Sequence, residues 1–373
     1  VAGSDALVER VAPLLERVAS AAARDFRQAG PALWEGVERM LAAESPTAAG
    51  GSGAFGSARD DHRFLASVLD LRLAGLLVAN LPWIYRSARG RGLAADLPER
   101  RFRHWARAAA SALPAASSGP VAAVLDWILE HHGDWVRLAA SEPSPAGPGD
   151  PRWESVYPDF LDALVEGRQW DGLRLAEAQV RSAADLGAFH DQLLAPALRE
   201  VGRRWELGRL SVAVEHRAGE MARRICDVLS HTLVPFLHCK GRVVVTAVPG
   251  ERHDLGMRIL SDLLAGDGWA VDCLGADLPA GDLLDLVRQV RPQVVALSMT
   301  MPFDLGAVRD LVGRLRAGAG PRRPKVIVGG ALFARDRDLW RRLGADARAD
   351  SAGEGAAVLA GWWQGPVRPA KGP

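Results

Sequence analysis

Between residues 243 and 328 short apolar runs alternate with amphipathic stretches, and this alternation restricts the fold more than any other feature of the chain. Val243-Val244-Val245-Thr246-Ala247-Val248, Trp269 to Leu274, Gln293 to Ser298 and Lys325 to Val328 read as strands, each short and rich in Val, Ile or Leu. Gly281 to Val290 and Asp304 to Ala317 read as helices between them. The pattern predicts a doubly wound parallel sheet, and such sheets bind ligands at the carboxyl ends of their strands. Three features fall there: Glu251-Arg252-His253-Asp254-Leu255-Gly256, Ser298-Met299-Thr300, and Gly329-Gly330.

The first of these offers an imidazole to a metal. Glu251, two residues before His253, can fix the ring's tautomer and raise its basicity, and Gly256 is expected to let the backbone turn closely into the next helix. A helix-capping histidine is the competing reading of His253. The paired glycines let a bulky group approach the backbone. The hydroxyls of Ser298 and Thr300 can hydrogen-bond a buried polar tail, although each is also an ordinary strand-end residue.

In combination and order these segments resemble the cobalamin-binding domain of methionine synthases, corrinoid methyl carriers, mutases and light-sensing repressors, over about residues 240 to 363. The resemblance implies that His253 is the lower cobalt ligand, replacing the cofactor's own dimethylbenzimidazole. The freed nucleotide tail would thread beside Ser298, Thr300, Gly329 and Gly330. Thr300 stands where some members have leucine, which would make that contact a hydrogen bond.

A second constellation lies upstream. Leu193 to Trp205 and Leu210 to Leu237 read as helices hinged at Gly208, with Val212, Glu215 and His216 at i, i+3 and i+4 on one face of the second. By spacing alone the favoured reading is a solvated Glu-His pair with Trp205 in the core. The string Trp205-x9-Glu215-His216, however, resembles the adenosylcobalamin photoreceptors that repress carotenoid synthesis in bacteria. In that family a four-helix bundle caps the corrin, light breaks the cobalt-carbon bond, the adenosyl group leaves, and a bundle histidine becomes the upper cobalt ligand. Carried over, Trp205 shields the adenosyl moiety, Val212 packs against it, Glu215 hydrogen-bonds its ribose and His216 completes the signature. One position departs: the family's upper-ligand histidine directly follows the tryptophan, where this chain has Glu206. His216 is then the candidate to supply an imidazole after photolysis.

The organisation expected is α + α/β and multidomain. It comprises an all-helical N-terminal domain (1–150), a four-helix-bundle cobalamin cap (151–239), a Rossmann-like doubly wound cobalamin-binding domain (240–363) and a disordered tail (364–373). In the first domain apolar periodicity predicts helices at Ala6 to Arg27, Ala32 to Ala43, His62 to Ala79, Glu99 to Leu113 and Val121 to Leu138. Ser45 to Ser57 reads as a flexible loop, and Ser141 to Gly149 as a Pro/Gly linker. Trp34, Trp83, Trp105, Trp127 and Trp135, with Arg86, Arg89, Arg91, Arg100, Arg101, Arg103 and Arg107, would suit a planar chromophore carrying carboxylates. A tryptophan core, a solvated arginine face and a nucleic-acid surface compete with that reading. In domain order and in Trp, Arg and His content this part resembles the photocobilins, which bind a bilin next to cobalamin. The resemblance implies noncovalent biliverdin, with His104, His131 and His132 as candidate contacts, because Cys226, Cys239 and Cys273 all lie beyond the domain.

The formal net charge of +1 over 373 residues announces no nucleic-acid or membrane partner. Three cysteines without paired spacing argue for a reducing cytoplasm, and neither a signal peptide nor a bilayer-length apolar stretch is read. No hydrolase or transferase string is present. The expectation is a cytoplasmic receptor for small-molecule chromophores rather than an enzyme. It is expected to be a homo-oligomer, such as a dimer, with an unassigned protein partner and DNA left open. A corrinoid methyl carrier serving a separate methyltransferase is the alternative.

Overall fold

The computed structural model describes residues 2–44, 57–234, 240–317 and 323–365. Almost all of the expected 45–57 loop, the end of the helix drawn to Leu237, Cys239 and the tail after Gly365 lie outside the described residues. The chain divides into two compact units, and the division falls inside the Pro/Gly linker. One unit holds Val1–Ser144 with Arg204–Leu210 and Pro302–Gly306; the other holds Pro145–Arg203, Ser211–Met301 and Ala307–Pro373.

The first unit is helical throughout its described residues: Ala2–Arg17, Ser20–Gln28, Gly30–Glu44, Ala58–Leu71, Ala74–Gly90, Leu97–Ala112, Ala115–Glu130 and His132–Ala140. Three expected helices are each two. Ala19 is extended at φ −62° and ψ 151°, Arg72 turns left-handed at φ 53°, and His131 leaves helical geometry. Apolar residues recur on both sides of each break, and a turn of one or two residues carries no period of its own, so periodicity cannot register it. Where a local signal exists the boundary is sharp: Ser57 and Asp60 form a capping box at the start of Ala58–Leu71. The distant segment Pro302–Gly306 is anchored in this unit. Arg63 Nε donates to Asp304 at 2.6 Å, the Leu305 amide donates to Ser67 Oγ at 3.0 Å, and the Arg63 guanidinium lies 4.9 Å from the Phe303 ring centre.

The second unit begins with Pro151–Glu154 and the bundle helices Tyr157–Glu166, Gln169–Gln179, Ala183–Phe189 and Val212–Leu233. The third bundle helix runs through a π-turn, His190–Leu194, into Ala195–Glu206. Trp153, Phe160, Phe189 and Leu193 fill its core. Inside the π-turn His190 is 1% exposed, and neither ring nitrogen has a hydrogen-bond partner among the described residues. Burial pushes its pKa down to about 4.

The sheet follows: β1 (Arg242–Ala247), β2 (Ala270–Cys273), β3 (Val294–Ser298), β4 (Lys325–Gly329) and β5 (Ala347–Ala349), all parallel in the order β2-β1-β3-β4-β5. Val243 to Ala247 are buried without alternation, as a strand covered on both faces requires. Helices Leu255–Gly266, Ala280–Val290, Leu305–Ala317 and Ala352–Trp362 are among the connections and end pieces. The fold class is therefore the α + α/β arrangement the alternation predicts. β5, of three residues, and the five-residue helices Ala331–Arg335 and Leu339–Leu343 before it carry too short a pattern to be read from sequence. Because β1 has its sequence neighbour β2 on one side and β3 on the other, the strand order reverses between β1 and β3. A ligand crevice opens at such a point.

Candidate functional site

The loop after β1 is shaped by a turn that the spacing argument passed over. Val248 donates its amide to Ser298 at 3.1 Å, tying the strand end to β3. Pro249 and Gly250 then turn the chain, with Gly250 at φ 78° and its amide on Asp277 at 3.1 Å. The Pro-Gly pair was the available signal. Gly256, expected to make the turn, lies instead within the helix Leu255–Gly266, and a β-carbon there would meet no atom. The close turn is therefore made earlier, at Gly250.

This turn drives Glu251 inward, to 4% exposure. Oε1 accepts the amides of Arg252 and His253 at 2.9 and 3.0 Å and the His253 ring Nδ1 at 2.5 Å. Oε2 accepts the amides of Thr300 and Met301 at 2.7 and 2.9 Å. Burial alone would push this carboxyl up, but the His253 ring and the converging amides bring it down to about 2. An ionised carboxylate only accepts, so His253 carries a proton on Nδ1, and it is the neutral ring that presents Nε2 as a free lone pair.

The His253 side chain is 56% exposed. Its pKa is raised, first by the hydrogen bond to Glu251, against desolvation, and further by the fields of Glu251, Glu215 and Asp254. Glu215 thus lies within electrostatic range of the His253 ring. The same helix, Val212–Leu233, is pinned to this loop by Arg223, which donates to Asp254 at 2.7 Å. Arg223 follows Glu215 by two turns and so shares its face, a signal that sequence reading missed.

At the start of that helix Ser211 caps the Val214 amide at 3.3 Å. Val212 is 46% exposed. His216 is 74% exposed, with Nδ1 on Glu215 Oε2 at 2.8 Å. Trp205 packs in the other unit, with the Arg91 guanidinium 4.5 Å from its ring centre. Glu206 is paired to Arg86.

Across β3, Ser298 stands in register with Ala247 and Gly329. The described contact of Thr300 is its backbone amide on Glu251. A β-carbon on Gly329 would come 3.2 Å from the Ala349 carbonyl, and one on Gly330, at φ 105°, would overlap the Met299 backbone. Gly330→Ala is expected to cost about 3 kcal/mol, combining a left-handed backbone and a steric overlap; a urea unfolding curve within 1 kcal/mol of wild type would contradict it.

Among the described residues no three His, Cys, Asp or Glu side chains gather as a metal site. A single exposed imidazole with a fixed tautomer suits a metal whose other ligands arrive with it, as in a macrocycle. The first unit offers less. Trp105, Trp127 and Trp135 are core residues. His131 donates Nδ1 to the Trp127 carbonyl at 2.8 Å, His132 bonds the Tyr85 hydroxyl at 3.0 Å, and His104 is buried 3.1 Å from Glu44. Arg100, Arg101 and Arg103 pair with Asp96, Asp61 and Glu99. Cys226 is buried and Cys273 exposed, both free thiols. No helix among the described residues is long and apolar enough to cross a membrane.

The family described as B12 binding domain matches residues 241–360, and a second family of that description matches 157–230. The HTH-type transcriptional repressor CarH of Myxococcus xanthus is 37% identical over 158 residues, 42% of this chain and 52% of that protein. The chain thus spans about half the length of that repressor, and likewise of CarA from the same organism, at 51%. Dimethylamine corrinoid protein 2 of Methanosarcina acetivorans is 26% identical over 207 residues, 55% of this chain and 94% of that protein. The solved monomethylamine corrinoid protein of Methanosarcina barkeri, 20% identical, covers 56% of this chain and 99% of its own with a TM-score of 0.50, a likeness of fold.

Proposed function

The chain carries the two B12-binding segments it shares with the cobalamin-dependent photoreceptor family, and from that premise we propose that it is a light sensor using adenosylcobalamin. The observation that carries this reading is the His253 loop facing the Glu215 helix within one unit. His253 Nε2 would hold cobalt from below, with Glu251 fixing the ring through Nδ1. Ser298, Thr300, Gly329 and Gly330 would border the nucleotide tail at the strand ends, and Gly256, with no atom near its missing side chain, would leave room beside the ligand. Val212 and Glu215 would meet the adenosyl group from the bundle, with Trp205 shielding it. Bound adenosylcobalamin supplies a cobalt-carbon bond that light breaks, freeing the adenosyl group. His216, exposed and with Nδ1 on Glu215, would be the residue to offer cobalt an imidazole thereafter.

Light would then shift the balance between two arrangements of the protein, read out by self-association, a protein partner or DNA. Its role is that of a receptor in a cytoplasmic setting, not an enzyme. Gel filtration of the loaded protein, in the dark and after green light, is expected to show a change in elution. Identical elution, with the adenosyl group retained, would contradict the reading. The biliverdin component rests on domain order and on Trp, Arg and His content; a red absorbance band on adding biliverdin supports it, and no such band removes it.

The near full-length match to a dimethylamine corrinoid protein favours a second reading, a methyl carrier. Transfer of a methyl group from the loaded chain to an added thiol in the presence of a corrinoid methyltransferase would select it.

A further inference from the structure

Trp205 is held by residues that belong neither to the bundle nor to the sheet. Arg204–Leu210 packs as part of the N-terminal helical unit, against the end of the helix Ala74–Gly90 and the residue after it. The Arg91 guanidinium stacks on the indole at 4.5 Å. One residue on, the Glu206 carboxylate accepts from Arg86 Nε, while Arg86 Nη1 donates to the Ser141 carbonyl at 3.1 Å. The two side chains of this ion pair are 13% and 12% exposed. Two residues further, Gly208 and Gly90 meet backbone to backbone: a β-carbon on Gly90 would fall 2.8 Å from the Gly208 amide, and one on Gly208 would overlap the Gly90 carbonyl. Gly208 is also at φ 71°, so neither glycine can be exchanged without moving the loop.

We propose that Arg86, Gly90 and Arg91 are positioning residues for Trp205, fixing the indole through the Arg86–Glu206 ion pair, the Gly90–Gly208 backbone contact and the stacked guanidinium. An ion pair taken out of water becomes costly when one partner is removed, because the other charge stays buried and uncompensated. A backbone contact with no room for a methyl group also allows no slip of register. The loop is therefore locked on the residues flanking Trp205, and position 206, where the resemblance calls for a histidine, is occupied by the lock. That Trp205 then affects photochemistry rests on the light-sensor reading. By reciprocity, a change at Trp205 must also be felt at Arg86 and Gly90.

Hydrogen exchange of the cofactor-free full chain, followed by mass spectrometry, tests the lock without any ligand. Arg86→Met and Glu206→Gln are each expected to speed exchange of the 204–210 amides by about tenfold or more. The charge swap Arg86→Glu with Glu206→Arg should restore much of the protection, which a merely destabilised fold would not do. If Arg86→Met fails to fold, Arg86→Lys, which keeps the charge and gives up the Ser141 bond, is expected to show a smaller rise. Unchanged exchange in the folded single variants overturns the proposal. Loaded in the dark with adenosylcobalamin, Arg86→Met should also differ from wild type in the rate of the light-driven spectral change. Faster exchange with an identical rate overturns the positioning of Trp205. A wild-type chain that takes up no cobalamin overturns the light-sensor reading and leaves the exchange result to decide the lock.

Discussion

Glu251→Gln is expected to cost the folded protein about 3 kcal/mol and to weaken cobalamin binding by about 10–100-fold, because the amide cannot do what the carboxylate does. Both oxygens of Glu251 face donors: Oε1 the Arg252 and His253 amides and the His253 ring, Oε2 the amides of Thr300 and Met301. A glutamine must turn its NH2 donor toward one of those sets, leaving buried N–H groups unpaired. If Oε1 is the side lost, the ring is released from its tautomer. His253→Ala separates the two roles. That side chain is more than half exposed, so its loss should leave unfolding in urea within about 0.5 kcal/mol of wild type while removing the histidine-ligated cobalamin spectrum. A Glu251→Gln protein of wild-type stability, or a His253→Ala protein with a wild-type spectrum, would contradict the geometry on which the site rests.

The second large effect is on acid stability and centres on His190. Its ring is buried in the π-turn with no hydrogen-bond partner among the described residues, and burial holds its pKa down at about 4. The unfolded chain titrates near the ordinary histidine value of about 6.5. Below that pH the unfolded state takes up a proton that the folded state refuses, so stability falls as pH drops from about 6.5 to about 4 and no further on this group's account. The full window is worth about 3 kcal/mol at 1.36 kcal/mol per unit. His190→Leu should flatten that part of the profile and leave neutral-pH stability equal or higher, since an apolar ring-sized group needs no partner. Urea midpoints measured from pH 7.5 to 4.5 for both proteins check this; parallel profiles would show that His190 is not the acid-sensitive group.

Legibility varied along the chain for physical reasons. The sheet was readable because Val243 to Val248 and Val294 to Leu297 are buried without alternation and separated by amphipathic helices. Strand ends are also where such folds place ligands, so Glu251, His253, Ser298 and the glycine pair came from pattern alone. The details that hold them did not. Gly250 makes the turn assigned to Gly256, and the backbone amides of Thr300 and Met301 hold one oxygen of Glu251. Backbone donors are invisible in a sequence because every residue carries one. Trp205 was read with the bundle, yet its loop packs with the helical unit. Nothing local distinguishes an arginine that meets Glu206 across a sequence separation of 120 from one that faces solvent. In the helical unit the aromatic and basic content had several readings, and the structure spends Trp105, Trp127 and Trp135 on the core and pairs Arg86, Arg100, Arg101 and Arg103 with carboxylates.

The central claim is that this chain binds adenosylcobalamin through His253 and responds to light. The most direct measurement is the visible spectrum of the full chain loaded with adenosylcobalamin in the dark, recorded before and after green illumination beside His253→Ala. The wild-type complex is expected to show a histidine-ligated alkylcobalamin spectrum that converts on illumination to a non-alkyl form retained by the protein, with His253→Ala lacking the histidine-ligated dark spectrum. A loaded wild-type protein whose spectrum is the same before and after light, or the same as that of His253→Ala, would contradict it.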